Sequence, residues 1–408
     1  MDHAAAAPMD ICVKKAMEPF WLEEFGNPSA LYKEGISARN ALASARAEAA
    51  EVIGARPGEI IFTAGGTESD NLAILGAAHL AVKPPLGGLT AKLNGASSDA
   101  HKNPVSFRPH IITTKIEHHA VLNTCKFLET RGFEVTYLDI GKEGVVNPED
   151  VRKALRPETL LVSIMYANNE IGTVQPIKEI AKIIRGFKKQ YPLFHTDACQ
   201  APGYLELNAE KLGVDLMTLN GSKIYGPKGT GILYVRSGVK LEPMLHGGEQ
   251  ERRLRPGTEN VPAIIGLAQA LKIADQDREK ESKRLTVLRD YFINRLITEI
   301  PKVVLNGHPA ERLPNNINVS ILDVEGESVV LYLDEAGVAC STGSACTSES
   351  LEPSHVIMAI GRSHAYAHGA MRFSLGRSTT KKEIDYVMKV LPGIIKKLRS
   401  FSPTDIKI

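Results

Sequence analysis

Strand-like and helix-like segments alternate along the middle of the chain, and this alternation restricts the possible folds more than any other feature. Between residues 110 and 235, short apolar runs are followed in turn by segments with helical periodicity or by Gly-rich turns. Such a rhythm predicts right-handed crossover connections and a mainly parallel sheet. The sequence therefore predicts an α/β protein.

Polar side chains occur where four of the predicted strands end. They are His118, Asn169, Asp197 and Lys223, and each lies just past the last apolar residue of a different strand. Parallel strands bring their carboxyl ends to one edge of the sheet, where α/β proteins collect their ligands. We therefore expect these four residues to form one site.

Lys223 lies in a segment that reads as strand, turn and strand. Val214 to Leu219 is a predicted strand, residues 220–230 form a turn rich in Gly and Pro, and Gly231 to Val235 is a second strand. A lysine held among glycines at a strand end can approach a flat cofactor and form a Schiff base with its carbonyl group. A solvated lysine in an ordinary turn fits the same stretch equally well.

The other polar residues suit a pyridine cofactor. Such a ring needs a carboxylate against its nitrogen, and Asp197 fits this role. Its face needs an aromatic or imidazole partner, and its phenolic oxygen needs neutral amides. Candidates are His118 or His119 for the face, and Asn169 and Gln200 for the oxygen. Each of these residues, taken singly, also fits a turn or a helix cap, so only their combination indicates a cofactor site.

A strand, a glycine pair and a helix near the front of the chain predict an anion site. Glu59 to Thr63 has strand character, and Gly65 and Gly66 supply a tight turn. Thr67 and Asp70 have capping-box spacing ahead of an apolar helical run. Backbone NH groups at such a helix start bind phosphate, although a plain glycine turn before a capped helix has the same pattern.

Charge and hydropathy narrow the classes of partner. Lys and Arg total 49 against 47 Asp and Glu, a formal net charge of +2, which gives no electrostatic basis for binding nucleic acid or an acidic membrane. No stretch approaches the roughly 18 apolar residues of a membrane span, and the first residues lack an export signal. We expect a small-molecule ligand, with no nucleic acid or membrane partner.

The cysteines indicate a reducing compartment. Five are present, an odd number without CxxC spacing, so neither a disulfide framework nor a zinc site is predicted. Free thiols in a cytoplasmic protein are expected. Cys12, Cys125 and Cys199 are interpreted as structural.

Composition and periodicity predict two domains. The larger spans 12–265, and the smaller α+β domain comprises 266–408 together with 1–11. The long amphipathic helix Val261 to Ile300 marks the transition between the two. Residues 84–109 are rich in Pro, Gly, Ser and Asn without periodicity, which indicates an inserted surface loop.

Seven motifs are distributed along the chain: TESDN at 67–71, EHHAVL at 117–122, NNEIGTVQPI at 168–177, HTDACQ at 195–200, SKIYGPKG at 222–229, RPGTENVP at 255–262 and STGSACTS at 341–348. Together they resemble the motifs of the cysteine desulfurases of the NifS/IscS type. The resemblance covers nearly the whole chain apart from the insertion. It implies the class V aminotransferase family and a homodimer of the pyridoxal phosphate-dependent fold type I. It also implies conversion of L-cysteine to L-alanine, with the sulfur left as a persulfide on an enzyme cysteine.

The resemblance also assigns roles residue by residue. Lys223 matches the Schiff-base lysine, Asp197 the partner of the pyridinium, and His118 the stacking histidine. Asn169 and Gln200 match contacts of the ring oxygen, and Asn169 also borders the substrate. Phosphate contacts are implied for Gly66, Thr67, Asn220, Ser222 and, from the neighbouring subunit, Thr258. Arg372 matches the arginine that holds the substrate carboxylate, for which a planar bidentate group is suited.

Cys346 matches the cysteine that takes the sulfur. It lies in CSTGSACTSES, a small, polar stretch that reads as a loop before a helix. Its rival Cys340 follows apolar residues and reads as a packed side chain at a strand end. No metal ligands are predicted, apart from contact of Cys346 with an iron-sulfur cluster during transfer. The acceptor of the sulfur is either an iron-sulfur scaffold or a tRNA-thiolation protein.

Two other functions stay open, and one of them, a scaffold without catalysis, is suggested by two departures from the family pattern. Asn220 stands where the family has serine or threonine, and Ser222 where it has histidine. A selenocysteine lyase, or another pyridoxal phosphate-dependent lyase or aminotransferase of this fold, is one alternative. A sulfur-relay scaffold without catalysis is another. Turnover of cysteine against selenocysteine, and titration with the cofactor, distinguish these possibilities.

Overall fold

The computed structural model describes residues 1–82, 108–187, 192–343 and 353–401. Cys346 and nearly all of the predicted 84–109 insertion lie outside the described residues. The fold below is built from the described part alone.

A seven-stranded sheet forms the larger layer. The strands are β1 Ile60–Thr63, β2 His110–Thr114, β3 Glu134–Leu138, β4 Thr159–Ser163, β5 Leu193–Asp197, β6 Leu216–Asn220 and β7 Gly231–Val235. Their order in the sheet is β1-β7-β6-β5-β4-β2-β3. Strand β7 is antiparallel to both its neighbours, whereas the remaining pairs are parallel, so the sheet is mainly parallel as predicted.

Helices connect these strands and cover the sheet. The strands away from the β3 edge are buried almost throughout, which explains why they read as continuous apolar runs. The helices up to the end of this sheet are α1 Ile11–Met17, α2 Pro19–Leu22, α3 Lys33–Ile53, α4 Gly66–Val82, α5 His119–Glu129, α6 Pro148–Ala154, α7 Ile177–Arg185 and α8 Ala209–Leu212.

A second sheet has three antiparallel strands, in the order β10 (Ala370–Ser374), β9 (Asn316–Ile321) and β8 (Val303–Leu305). Its core contains Phe292 and Phe373, whose rings meet edge to face at 5.0 Å. The elements of this half are α9 Val261–Glu299, β8 Val303–Leu305, β9 Asn316–Ile321, α10 Gly326–Glu335, α11 His355–Ala359, α12 His364–His368, β10 Ala370–Ser374 and α13 Lys381–Arg399. This α+β arrangement agrees with the fold class that the sequence predicts.

Helix α9 belongs to both hydrophobic cores. Its 39 residues begin at the Asn260 cap, whose side chain accepts from the backbone NH of Ala263. Leu267 and Leu271 pack in the core beside the large sheet, and Phe292 and Leu296 pack in the core of the small sheet. Both halves of the molecule therefore share one continuous helix.

The predicted capping box at Thr67 and Asp70 is wrong. Helix α4 begins at Gly66, so Thr67 already lies in its first turn. Asp70 is only 1% exposed and lies 3.6 Å from the buried ring of His195. The spacing was misleading because capping depends on where the helix starts, and a cap at Thr67 places that start two residues too late.

No helix in the described ranges is long and apolar enough to span a membrane.

Candidate active site

A cavity lies where the carboxyl ends of β2, β4, β5 and β6 meet, and most of the predicted site residues line it. His118, Asn169, Asp197 and Lys223 converge there from four different strands, as the sequence predicts. The other predicted residues that line the cavity are Gly66, Thr67, Gln200, Asn220 and Arg372. Cavities at this edge are the usual ligand sites of α/β folds.

Lys223 closes the short 3₁₀ turn Gly221–Lys223 that follows β6. Its Nζ donates to the carbonyl oxygens of Ala4 and Ala5 at 2.9 and 2.5 Å. A Cβ at Gly221 would approach the hydroxyl of Thr230 to 2.5 Å, so only glycine allows this tight turn. The amine is thereby held in the cavity, in contact with backbone from the start of the chain.

Asp197 ends β5 and is buried at the cavity wall, with an exposed fraction of 6%. Its Oδ1 accepts a hydrogen bond from the backbone NH of Cys199 at 2.9 Å. Burial, reinforced by the negative charge of Asp197, raises the pKa of the neighbouring Asp70 well above its usual range. Asp70 therefore holds its proton to a higher pH than an exposed aspartate does.

A second buried acid, Glu117, lies directly before His118 in the sequence. Its carboxylate accepts from the backbone NH of Met165 at 3.0 Å and from the hydroxyl of Thr114 at 2.7 Å. Burial raises the pKa of Glu117 to about 8 despite these hydrogen bonds. Sequence reasoning did not single out Glu117, because its burial depends on the packing of β4 against β2.

His195 lies buried beneath the cavity floor in β5. Its ring nitrogens contact the hydroxyls of Ser163 and Thr218 at 2.8 and 3.1 Å. Burial lowers the pKa of His195 to about 4, so its ring is neutral at physiological pH. It supports the strand that carries Asp197 without adding charge.

Two residues border the cavity from fixed turns. His118 is the N-cap of α5, and its Nδ1 accepts from the backbone NH of Ala120 at 3.1 Å, which fixes the ring orientation. Asn169 lies in a turn that Asn168 shapes, because the Oδ1 of Asn168 accepts from the backbone NH groups of Glu170 and Ile171. Both positions are therefore preorganised before any ligand binds.

The N-terminus of α4 forms one end of the cavity. A Cβ at Gly66 would lie 2.7 Å from the Sγ of Cys199, so a glycine is needed for this close approach. Opposite, the Oδ1 of Asn220 accepts from both the backbone NH and the hydroxyl of Ser222 at 3.0 Å. This end offers backbone NH groups at the start of a 17-residue helix, which suit an anionic group.

Not every predicted residue reaches the cavity. Ser222 contacts Asn220 but does not line the cavity, and Thr258 is exposed on the surface of the single chain. The predicted contact of Thr258 with a neighbouring subunit stays a prediction. Cys346 lies outside the described residues.

Arg372 comes from β10 of the small sheet, so both sheets contribute to the cavity. Its guanidinium is buried and donates to the backbone carbonyl of Asn169 at 3.0 Å and to the Oδ1 of Asp2 at 2.9 Å. Sequence reasoning did not single out Asp2, which lies 370 residues away along the chain.

The four cysteines in the described part differ in accessibility. Cys340 and Cys125 are buried, and burial raises the pKa of each thiol to about 12. Cys340 packs as predicted, although it precedes an isolated bridge at Ser341 instead of ending a strand. Cys12 is exposed on α1, so its interpretation as a packed residue is wrong. Cys199 borders the cavity, and burial raises its pKa well above the usual range.

Comparison with known proteins gives consistent results. The family model described as Aminotransferase class-V matches residues 1–85 and 86–387. The cysteine desulfurase IscS of Dictyoglomus turgidum is 50% identical over 404 residues, which cover 99% of this chain and 96% of that protein.

Solved structures are similar to this chain over nearly its whole length. A NifS-like protein has 35% identity and a TM-score of 0.86 over 97% of this chain and 99% of its own. The protein SspA, solved in complex with cysteine, has 36% identity and a TM-score of 0.76 over 92% of this chain and 97% of its own. The similarity therefore extends over both sheets and the cavity between them.

Proposed function

The chain belongs to the class V aminotransferase family, and from that premise we propose that it is a pyridoxal 5'-phosphate-dependent cysteine desulfurase. In this proposal it converts L-cysteine to L-alanine and leaves the sulfur as a persulfide on Cys346. The observation that carries the proposal is that Lys223 and Asp197, from different strands, face one cavity that also contains the buried Arg372.

The cavity fits the proposed cofactor. Asp197 would hold the protonated ring nitrogen and Lys223 would hold the cofactor through its amine. Gly66 and Thr67 line the cavity in the first turn of α4, and the NH groups of a helix start suit a phosphate, which supports the fit. The remaining proposed contacts are His118 on the ring face, Asn169 and Gln200 at the ring oxygen, Thr67, Asn220 and Ser222 near the phosphate, and the partner subunit's Thr258. When bound, the cofactor supplies an electron sink for the substrate Cα.

The protein's own residues bind the substrate, transfer its proton and accept its sulfur. Arg372 binds the substrate carboxylate, because a buried guanidinium attracts and orients an anionic planar group. The amine of Lys223, held in the cavity, moves a proton at the substrate Cα. The thiolate of Cys346 attacks the substrate sulfur, so that an S–S bond forms as the S–Cβ bond breaks. The thiol proton of the substrate ends on Cβ, which leaves alanine.

The proposed setting is the cytoplasm, where a persulfide carrier delivers sulfur to an iron-sulfur scaffold or a tRNA-thiolation protein. The exposed thiol of Cys12 and the buried thiols of Cys125 and Cys340 suit a reducing compartment. The name IscS of the Dictyoglomus turgidum relative supports iron-sulfur cluster assembly as the destination.

Titration of the purified protein tests the proposed function. Added pyridoxal 5'-phosphate is expected to bind one molecule per chain with a new absorbance band in the visible region. L-cysteine and a reductant should then yield alanine and sulfide in equal amounts. A protein that binds no cofactor would be a scaffold, and turnover of selenocysteine without cysteine would indicate a lyase.

We also propose that the protein is a homodimer, because large apolar side chains are exposed near its first helices. Leu22 and Leu31 are each 85% exposed, and a group of large exposed apolar side chains marks an interaction surface. Trp21, Phe25 and Tyr32 belong to the same segment and are 57%, 69% and 58% exposed.

A charged substitution on this segment is expected to dissociate the dimer. Burying a leucine contributes about 1.5–3 kcal/mol, so Leu22→Glu with Leu31→Glu should raise the dimer dissociation constant by at least about a hundredfold. Sedimentation equilibrium measures this change. Leu331→Glu, which changes a leucine 70% exposed on α10, is the matched control and should leave the dimer intact. Unchanged dimerisation in the double variant would place the interface elsewhere.

A further inference from the structure

Asp2 contacts the arginine that the proposed function assigns to the substrate carboxylate. Arg372 lines the cavity with only 1% of its surface exposed. Its two terminal nitrogens donate to Asp2 Oδ1 at 2.9 Å and to the carbonyl of Asn169 at 3.0 Å. Among the described residues, its Nε is buried and has no hydrogen-bond partner. Each terminal nitrogen thus has one acceptor from the protein, and its second hydrogen remains to donate to a ligand in the cavity.

Asp2 is itself held firmly in place. Its Oδ2 accepts from the hydroxyl of Ser341 at 2.8 Å, and the backbone of Ser341 pairs with that of Arg372. The backbone of Asp2 pairs with Ser374 of β10, and the hydroxyl of Ser374 accepts from the NH of Ala4 at 2.8 Å. The side chain of Asp2 is 19% exposed against 2% for Arg372. This contact is therefore a built pair within the site and differs from a solvated surface ion pair.

We propose that Asp2 is a positioning residue that sets the affinity of the site for the carboxylate of the amino-acid substrate. The inference deepens the proposed function and depends on it. The carboxylate of Asp2 has two opposing effects on Arg372. It fixes the plane of the guanidinium, which favours binding, and it offsets the positive charge, which weakens the attraction for a second carboxylate.

Asparagine and alanine at position 2 separate these effects. In Asp2→Asn, the amide oxygen still accepts from Arg372 while the amide NH₂ donates to the hydroxyl of Ser341, so orientation is kept and the negative charge is lost. In Asp2→Ala, both are lost. We therefore expect the dissociation constants of L-cysteine and L-alanine to fall about threefold to tenfold in Asp2→Asn and to rise about tenfold or more in Asp2→Ala.

The experiment uses the cofactor-loaded protein. Binding of L-alanine is followed by the change in cofactor absorbance, and KM and kcat for L-cysteine are measured separately. In Asp2→Asn, KM should fall with the dissociation constant while kcat changes less than about twofold, because the reacting atoms are untouched. Cysteamine, which lacks the carboxylate, should bind the wild type and Asp2→Asn equally.

Asp10→Asn is the matched control, because Asp10 lies near Asp2 in sequence and forms an ion pair of the same length, 2.9 Å, with Arg377. It should leave carboxylate affinity unchanged. The inference would be overturned if Asp2→Asn raised the dissociation constant of L-alanine, or if it changed the affinity for cysteamine as much as that for L-alanine. Either result leaves the proposed function intact as long as the wild type turns over cysteine. Absence of that wild-type turnover would instead overturn the proposed function, and the inference with it. If Asp2→Ala does not fold, Asp2→Asn alone decides.

Discussion

Lys223→Ala is expected to lower the rate of alanine formation from cysteine by at least about 10⁴-fold, because the variant lacks both the covalent tether for the cofactor and the proton carrier at Cα. The amine of Lys223 lies in the same cavity as Asp197 and Arg372. In the structure, the Nζ of Lys223 donates to the carbonyls of Ala4 and Ala5 and makes further contacts. Alanine lacks this amine, whereas the cavity walls remain in place.

Borohydride reduction followed by mass spectrometry measures the tether directly. The cofactor should stay attached to Lys223 of the wild type after reduction and to no residue of the variant. Lys228→Ala is the control, because Lys228 is an exposed lysine in the same turn. Attachment of the cofactor to Lys228, or full activity of Lys223→Ala, would contradict the assignment.

Cys346→Ala is expected to bind the cofactor normally and yet to lower sulfide release by more than about a hundredfold, because no thiolate is left to attack the substrate sulfur. The rival thiol cannot take its place. Cys340 is buried in the core of the small sheet, and burial raises its pKa to about 12, so almost none of it is thiolate at neutral pH. Cys340→Ala should therefore keep most of the activity.

Persulfide labelling of the protein followed by peptide mass spectrometry identifies the carrier. The label should appear on Cys346 of the wild type and be absent from Cys346→Ala. Cys12→Ala is the second control, since Cys12 is an exposed thiol that could be labelled without taking part in turnover. Sulfide release by Cys346→Ala at the wild-type rate would indicate a lyase that needs no enzyme thiol.

Local sequence signals were sufficient to place the main site residues. Strand ends are marked by the change from apolar to polar residues, so the sequence alone predicts that Asp197 and Lys223 lie at the ends of two strands. The rule that parallel strands share a ligand edge then brought them together with His118 and Asn169. None of these steps required knowledge of contacts distant in sequence.

The features that the sequence did not reveal all depend on contacts distant in sequence. Asp2 meets Arg372 only because the start of the chain runs beside β10 of the small sheet. Asp70 has the spacing of a cap, and its burial against His195 follows from the packing of α4 on the large sheet. Cys12 belongs to a helix with one buried face, and which face a cysteine occupies depends on how the helix docks.

Helix α9 couples the opening of the two halves of the molecule. Its backbone is one hydrogen-bonded rod of 39 residues, about 58 Å at 1.5 Å per residue, and each end is embedded in a different core. Fraying of the half that contains Phe292 would remove support from the small sheet and hence from β10, which carries Arg372. Amide hydrogens on the two halves should therefore exchange as one unit, and a cavity assembled from two sheets would open as a whole.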